Sequence, residues 1–146
     1  MKKRVAINGF GRIGRCVARI MLESHGDDLD LVAINDPSPS EQTALLFQYD
    51  SNFGPFPGTV TLEDEAQTLS INGQRIRHFS TRSIADLPWG DLGIDIVLEC
   101  TGVFRTLESC QQHIDQGAKK VLLSAPAKSD GFTTVVMGVN DEALKK

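Results

Sequence analysis

Cysteine and histidine are too few and too scattered in this sequence to build a disulfide framework or a metal site. There are three cysteines, an odd number, and no two of them stand at a Cys-x-x-Cys spacing. The three histidines have neither a second histidine nor a cysteine pair at ligand spacing. We therefore expect reduced thiols in a cytoplasmic protein and no bound metal. The residues concerned are Cys16, Cys100, Cys110, His25, His78 and His113.

The sequence also lacks an excess of positive charge and any long apolar run. Its 146 residues carry 15 Lys and Arg against 19 Asp and Glu, and this net charge of -4 argues against binding along a nucleic acid. The longest apolar runs, such as the one that begins at Ile96, are too short to span a membrane, and Lys2-Lys3-Arg4 leads into a glycine turn rather than a secretory apolar core. Hydrophobic residues make up 40% and charged residues 23% of the chain. We expect residues 1–146 to form one soluble domain, outside membranes, that binds a small molecule.

The beginning of the sequence predicts a strand, a helix and a second strand. The short apolar run at residues 4–8 ends in glycines and is typical of a buried strand. Apolar residues then recur at helical spacing over residues 12–25 without a proline, so the predicted helix ends near Gly26. The second strand is predicted at residues 31–35. This order forms a right-handed crossover unit, in which the two strands are parallel.

The middle of the sequence predicts an antiparallel hairpin, and the last third returns to the parallel pattern. Residues 68–71 and 74–79 flank Asn72-Gly73, the strongest short hairpin signal that a sequence offers. The fold class that these elements predict is α/β, a doubly wound, mainly parallel sheet with an antiparallel hairpin insertion. The later elements of that sheet are predicted strands at residues 96–100, 120–124 and 134–138 and a helix at residues 106–116.

A glycine-rich turn lies between the first predicted strand and the first predicted helix. Gly9-Phe10-Gly11-Arg12-Ile13-Gly14 has the Gly-x-Gly-x-x-Gly spacing of dinucleotide-binding turns. Gly9 permits the tight turn, Gly11 lets the backbone approach a pyrophosphate, and Gly14 lets the helix pack closely on the strand. The helix N-terminus then presents free N–H groups to the phosphates. Taken alone, the pattern also fits a turn without a ligand or a methyltransferase.

Asp36 follows the second predicted strand, about 20 positions after the last glycine of this turn. A carboxylate at that place accepts hydrogen bonds from an adenosine ribose and repels the 2′-phosphate of NADP. No Arg or Lys occurs between Asp36 and Asp50 to offset that repulsion, so the sequence favours NAD. The alternative is that Asp36 caps a helix or opens the Asp36-Pro37 turn.

Two further loops follow predicted strands and should lie at the same edge of the sheet. Thr101-Gly102 follows the strand at residues 96–100, and Ser124-Ala125-Pro126 follows the strand at residues 120–124. Ligands of doubly wound sheets bind outside these carboxyl ends, so both loops are candidates to line one cleft with the glycine turn. Each loop taken alone is an ordinary turn.

Beyond these signals, the sequence resembles a known family over essentially its whole length. Residues 7–15, Ile-Asn-Gly-Phe-Gly-Arg-Ile-Gly-Arg, resemble the opening of glyceraldehyde-3-phosphate dehydrogenases and of their erythrose-4-phosphate relatives. The other matching strings follow in the family's order: Ala33-Ile34-Asn35-Asp36, Tyr49-Asp50-Ser51, Asn72-Gly73, Glu99-Cys100-Thr101-Gly102-Val103-Phe104, Gly117-Ala118-Lys119-Lys120-Val121, Ser124-Ala125-Pro126 and Val136-Met137-Gly138-Val139-Asn140.

This resemblance implies a binding site for NAD and assigns residues to its parts. Asp36 would hold the adenosine ribose, and Ser124 with Ala125 would approach the nicotinamide end. The pyrophosphate would be held by Gly9, Phe10, Gly11, Arg12 and Ile13, and the adenine side would be surrounded by Arg82, Thr101, Gly102 and Phe104.

The resemblance also implies what these 146 residues do not contain. The family's nucleophile lies in a Ser-Cys-Thr-Thr-Asn run, which is absent here, as are its base histidine and its phosphate-binding residues. Cys110 falls in a helical pattern and Cys100 at a buried strand end, so we interpret both as structural. We therefore expect no catalytic residue in this chain, and the partners implied are the catalytic domain of the same polypeptide and, for the full-length enzyme, a homotetramer.

Three other functions are left open by the sequence. The parent enzyme could act on erythrose 4-phosphate, because the residues that select the aldehyde are not in this chain. A standalone nucleotide- or RNA-binding module would reuse the same cleft, although the acidic charge counts against it. A methyltransferase-like domain would share the glycine turn but not the family strings.

Overall fold

The computed structural model describes residues 1–63 and 67–144. They form a β-sheet with helices packed on it. The helices are α1 (Arg12–Ser24), α2 (Ser40–Gln48) and α3 (Leu107–Asp115). The strands are β1 (Lys3–Asn8), β2 (Leu29–Asn35), β3 (Tyr49–Asp50), β4 (Gly54–Pro55), β5 (Val60–Glu63), β6 (Thr68–Ile71), β7 (Gln74–Phe79), β8 (Ile96–Glu99) and β9 (Lys120–Leu123). Short 3-10 turns stand at Ile84–Asp86 and Asp141–Ala143.

The main sheet has the doubly wound order that the sequence predicts. In the described part of the chain its order is β5-β6-β7-β2-β1-β8-β9. The neighbouring pairs β7-β2, β2-β1, β1-β8 and β8-β9 are parallel. Strands β5, β6 and β7 form an antiparallel meander. The chain leaves β1 toward β2 on one side and later returns to β8 on the other. The α/β fold class is therefore confirmed, and the point where the strand order reverses lies between β1 and β8.

Alternation along the buried strands creates a core on each face of the sheet. Val5 and Ile7 of β1 pack with Ala18 and Met21 of α1, whereas Ala6 points to the opposite face. On that opposite face Trp89 and neighbouring apolar side chains form a second core. Because both faces are covered, the parallel strands read as continuous apolar runs in the sequence.

The predicted hairpin is present and also joins the main sheet. Asn72 and Gly73 both have positive φ, 52° and 81°, as a two-residue type I′ turn requires. The edge of β7 that faces away from β6 pairs in parallel with β2, so that Asn35 lies opposite Phe79. This parallel pairing carries the chain after β7 to the same sheet edge as Asp36.

The predicted strand at residues 134–138 is wrong, because this segment satisfies its backbone locally instead of pairing with a neighbour. The N–H of Val136 donates to the Oδ1 of Asn140 at 2.7 Å, and the Nδ2 of Asn140 donates to the carbonyl of Thr134 at 2.9 Å. The N–H of Val139 closes a turn onto the carbonyl of Val136. The β-branched residues give the segment strand propensity, but a strand also needs a partner along its edge.

Within the described residues, no group of three or more His, Cys, Asp or Glu side chains is placed to hold a metal ion. Nor is any described helix both long and apolar enough to cross a membrane.

Candidate dinucleotide-binding cleft

A cleft of about 450 Å³ opens at the carboxyl ends of β1, β2 and β8, where the strand order reverses. Ligands of doubly wound sheets bind at such a point. The cleft brings together six of the residues predicted as site residues: Gly9, Gly11, Asp36, Arg82, Thr101 and Phe104. It is also lined by residues that were not predicted as site residues: Asn8, Asn35, Pro37, Thr81, Ile84, Cys100 and Val103.

The glycine turn is shaped by close approaches that only glycine permits. Gly9 has a φ of 91°, and a Cβ there would lie 2.6 Å from the backbone nitrogen of Thr101. A Cβ on Gly14 would overlap the carbonyl oxygen of Gly9, so this glycine lets α1 start directly against the turn. At Gly11, by contrast, a Cβ would meet no protein atom within 4 Å. The backbone at Gly11 is therefore open to a ligand.

The N-terminus of α1 has amides to offer at this opening. Gly11 is the N-cap and supplies no side-chain hydrogen bond, while the first helical bond runs from the N–H of Arg15 to its carbonyl. The preceding amides of the first turn have no partner within the helix. Free amides and the positive end of the helix dipole at an open backbone fit a pyrophosphate.

Asp36 joins the glycine turn to the end of β2. Its Oδ2 accepts a hydrogen bond from the backbone N–H of Phe10 at 3.0 Å, and its Oδ1 accepts one from the N–H of Ser38 at 2.9 Å. The second bond is the turn contact that the alternative interpretation required. Each carboxylate oxygen can accept a further bond, so Asp36 can fix its own loop and still bind a hydroxyl in the cleft.

The side chain of Arg12 points to a different partner than a phosphate. Its Nη1 donates to both carboxylate oxygens of Asp50, at 2.9 and 2.7 Å, and its Nη2 lies 3.3 Å from the hydroxyl of Ser51. The pKa of Asp50 is lowered to about 2 by the backbone N–H groups of Asn52 and Phe53 and by Arg12. In this structure the Arg12 side chain is held by Asp50, while its backbone N–H lies in the first turn of α1.

The remaining predicted site residues lie around the cleft rather than on its wall. Phe10 is buried and stacks on Phe47 with ring centroids 5.8 Å apart, whereas Ile13 is half exposed on α1. Gly102 makes a turn of positive φ, 73°, between two residues of the wall. Ser124 and Ala125 line a separate groove along β9.

Cys100 and Cys110 have the chemistry of packed thiols. Burial raises the pKa of Cys100 above its ordinary value, and the charge of Glu99 adds to that rise, although a hydrogen bond with the Ser124 side chain opposes it. Burial raises the pKa of Cys110 in the same way, and its Sγ lies 3.5 Å from the carbonyl oxygen of Phe104. Neither group is placed to form a thiolate near neutral pH.

The buried His78 connects β7 to α2, the helix that follows the Asp36 loop. The ring of His78, on β7, contacts the hydroxyl of Ser40 through Nδ1 at 2.9 Å and that of Thr43 through Nε2 at 3.4 Å. Both serve the first turns of α2. Burial lowers the pKa of His78, and the negative charges of Asp36 and Glu41 only partly offset this effect.

The lowered pKa of His78 predicts a loss of stability in mild acid. Below its ordinary pKa of 6.5 the unfolded chain takes up a proton at this residue that the folded chain resists, so the free energy of unfolding falls as pH falls. In His78→Gln this contribution disappears, and unfolding between about pH 7 and pH 5 should depend less on pH than in the wild type. Denaturant titrations measure this slope. His25→Gln, which changes an exposed histidine, is the control. An equal slope in both variants would contradict the assignment.

The cleft and sheet define a dinucleotide-binding domain of the Rossmann type. Comparison with known proteins identifies its family: residues 3–107 match the family model described as glyceraldehyde 3-phosphate dehydrogenase, NAD binding domain. The chain belongs to this family, whose cofactor is NAD.

Relatives match the chain almost from end to end. It is 51% identical over 146 residues to a glyceraldehyde-3-phosphate dehydrogenase of Pseudomonas aeruginosa, covering 99% of this chain and 43% of that protein. It is 48% identical to the plasmid-encoded enzyme of Cupriavidus necator, with the same coverage. The glyceraldehyde-3-phosphate dehydrogenase of Ogataea parapolymorpha is 50% identical over 143 residues, 97% of this chain and 41% of that protein. The chain thus spans about two fifths of the length of these relatives.

Proposed function

We propose that this chain is the NAD-binding domain of an enzyme that oxidises glyceraldehyde 3-phosphate to an acyl phosphate. The observation that carries the proposal is the position of Asp36, which faces the cleft while it fixes the glycine turn through Phe10. The similarity to relatives named as glyceraldehyde-3-phosphate dehydrogenases supports the substrate. The alternative is an enzyme that acts on erythrose 4-phosphate. An assay of the complete protein with both aldehydes would distinguish the two substrates. We place this soluble domain in the cytoplasm.

Different residues of the cleft suit different parts of NAD. The free amides at the start of α1, with the open backbone of Gly11, suit the pyrophosphate. Asp36 suits a ribose hydroxyl and disfavours a 2′-phosphate, since no Arg or Lys lies between it and Asp50. Arg82, Thr101 and Phe104 form the wall that we assign to the adenine side. When bound, NAD supplies the hydride acceptor of the reaction.

We assign Ser124 and Ala125 to the nicotinamide end, beyond the cleft wall. The N–H of Ser124 extends the pairing of β9 with β8 by donating to the carbonyl of Glu99 at 3.0 Å. Its side chain bonds the thiol of Cys100, which lines the cleft. The side chain of Cys100 therefore connects Ser124, at the end of β9, to the cleft in which we place the ligand.

Thermal unfolding with and without nucleotide tests this proposal. A ligand at about 100 times its dissociation constant stabilises the folded state by about 2.7 kcal/mol, which raises the melting temperature by roughly 5–11 °C for a domain of this size. NAD should produce this rise, and NADP at the same concentration should produce less. If neither nucleotide raises the melting temperature at millimolar concentration, the proposed site does not function in this chain.

The 146-residue polypeptide should bind NAD without reducing it. The Ser-Cys-Thr-Thr-Asn run is not in its sequence, and burial raises the pKa of both Cys100 and Cys110. Absorbance of NADH with phosphate and either glyceraldehyde 3-phosphate or erythrose 4-phosphate should stay at background, and a complete relative is the positive control. Turnover that Cys100→Ser or Cys110→Ser abolishes would contradict this assignment. We propose the catalytic domain of the same polypeptide, and a homotetramer, as the partners that complete the enzyme.

A further inference from the structure

A chain of buried polar side chains runs beneath the proposed NAD cleft and crosses three strands of the sheet. Its members are each at most 5% exposed, although four of them carry amide, imidazole or carboxylate groups. Buried polar groups are costly unless they are hydrogen-bonded. The members, in spatial order, are Asn35, Asn8, Glu99, His113 and Trp89; we call them the Glu99 network.

One arm of the Glu99 network begins at a backbone amide. The N–H of Thr81 donates to the Oδ1 of Asn35 at 3.1 Å, and the Nδ2 of Asn35 donates to the Oδ1 of Asn8 at 2.7 Å. The Nδ2 of Asn8 then donates to the Oε2 of Glu99 at 2.6 Å. Because a backbone N–H can only donate, neither asparagine amide can be reversed without opposing two donors.

The other arm begins at the indole of Trp89. Its Nε1, which can only donate, lies 3.0 Å from the Nδ1 of His113. Nδ1 must therefore accept, so the hydrogen of the ring stands on Nε2, which lies 3.1 Å from the Oε2 of Glu99. On the other carboxylate oxygen, Oε1, Glu99 accepts from the backbone N–H of Thr101 at 2.8 Å and from its hydroxyl.

Both arms therefore deliver hydrogens to Glu99 and none takes a hydrogen from it. Its two oxygens accept every hydrogen bond that they make in this structure. A glutamine would place its NH2 group against the Thr101 N–H on one side or against the donors from Asn8 and His113 on the other. The fixed ends at Thr81 and Trp89 prevent the arms from reversing to accommodate it.

Two network residues, Asn8 and Asn35, and two residues bonded to the network, Thr81 and Thr101, line the cleft, and each directly precedes in sequence a residue that we assign to NAD. Asn8 precedes Gly9, Asn35 precedes Asp36, Thr81 precedes Arg82, and Thr101 precedes Gly102. These four pairs stand on the loops after four different strands. One carboxylate thus connects the loops that we assign to the pyrophosphate, the ribose and the adenine.

We infer that Glu99 is a positioning residue that holds these four loops in the arrangement that binds NAD, and that NAD binding is transmitted to Trp89. The inference rests on the proposed function, since it takes NAD as the occupant of the cleft. Glu99 touches no ligand in this scheme; it acts through Asn8, Thr101 and the backbone amide of Thr81. Its loss misplaces the loops by shifting the strand ends to which they are attached.

The first test compares the NAD affinity of folded Glu99→Gln with that of the wild type by calorimetry. A misplaced binding loop costs affinity even when the fold persists, so we expect NAD binding to be weaker by roughly tenfold or more. The control is Ile71→Val, a buried truncation on β6 that lowers stability without touching the network. Should Glu99→Gln lose stability as the control does but keep the wild-type dissociation constant, Glu99 serves the fold alone and the inference is wrong.

The second test needs no substitution, and it applies even if Glu99→Gln does not fold. Trp89 is the only tryptophan, so the ¹H–¹⁵N spectrum has a single indole signal, from a group that lines no part of the cleft. We expect NAD to shift this signal along the same binding curve that calorimetry reports. If calorimetry shows binding and the indole signal does not move, the inference fails while the proposed function stands. If the wild type binds no NAD, the proposed function itself fails.

Discussion

Asp36→Ala is expected to weaken NAD binding by roughly 10- to 150-fold, the equivalent of about 1.5–3 kcal/mol for a hydrogen bond to a charged group. The loss combines the ribose contact with a looser glycine turn, because the carboxylate also accepts the N–H of Phe10. NADP should lose much less, since the substitution removes the negative charge that opposes its 2′-phosphate. Calorimetric titration of the folded variant with both nucleotides gives the two affinities.

The ratio of these affinities separates the ribose role from a role in the turn alone. Loosening the turn through Phe10 and Ser38 would weaken NAD and NADP together, whereas loss of the ribose contact lowers the preference for NAD. Asp27→Ala removes the same charge from an exposed turn and should leave the ratio at its wild-type value. An unchanged ratio in Asp36→Ala would show that Asp36 only fixes the loop.

Substitution of the first two glycines of the turn by alanine should have very different effects on stability. Gly9→Ala places a Cβ 2.6 Å from the Thr101 nitrogen at a φ of 91°, so strain and overpacking should destabilise the domain by about 2–5 kcal/mol. Gly11→Ala adds a Cβ in open space at a φ of -73°, and its stability should be unchanged or slightly higher. Thermal unfolding measures both effects.

The same two variants should both lose NAD. In Gly9→Ala the turn is displaced from Thr101, while in Gly11→Ala the new methyl group occupies the space into which we place the pyrophosphate. Gly11→Ala is therefore the more informative variant, because a folded and stable protein should fail to bind. Wild-type affinity in Gly11→Ala would remove the pyrophosphate from this turn, and a wild-type melting temperature in Gly9→Ala would contradict the close approach to Thr101.

The parts of the fold that depend on local signals were predicted from the sequence. The glycine turn marks the end of β1 and the start of α1, Asn72-Gly73 marks the hairpin, and the helix predicted at residues 106–116 is α3. Two other features of the fold were not predicted. The two-residue strands β3 and β4 leave no periodic signal, and the parallel edge between β7 and β2 joins residues far apart in the chain.

The strand predicted at residues 134–138 was wrong because strand propensity does not supply a pairing partner. Its apolar, β-branched residues suit a strand, but Asn140 closes the backbone of Thr134 and Val136 into a local turn. Sequence periodicity describes which conformation a segment favours and does not supply the neighbour with which it pairs.

In the candidate site, too, residues of a local motif were predicted, whereas contacts between separate elements were not. Gly9, Gly11 and Asp36 belong to a motif of fixed spacing, and the cleft contains all three. The pairing of Arg12 with Asp50 was not foreseen, because it joins α1 to β3, a two-residue strand that the sequence did not predict. Asn8 and Asn35 carried one usable signal: each is a polar residue that ends an apolar strand.

The binding residues are tested most directly by a backbone amide chemical-shift titration of the wild-type chain with NAD. We predict saturable shifts concentrated at the glycine turn and the other cleft loops, and weaker binding of NADP. The result that would contradict the proposed site is the absence of saturable shifts at millimolar NAD, or shifts confined to the separate groove beside β9. The amides expected to move most are those of Gly9, Gly11, Asp36, Thr101 and Gly102.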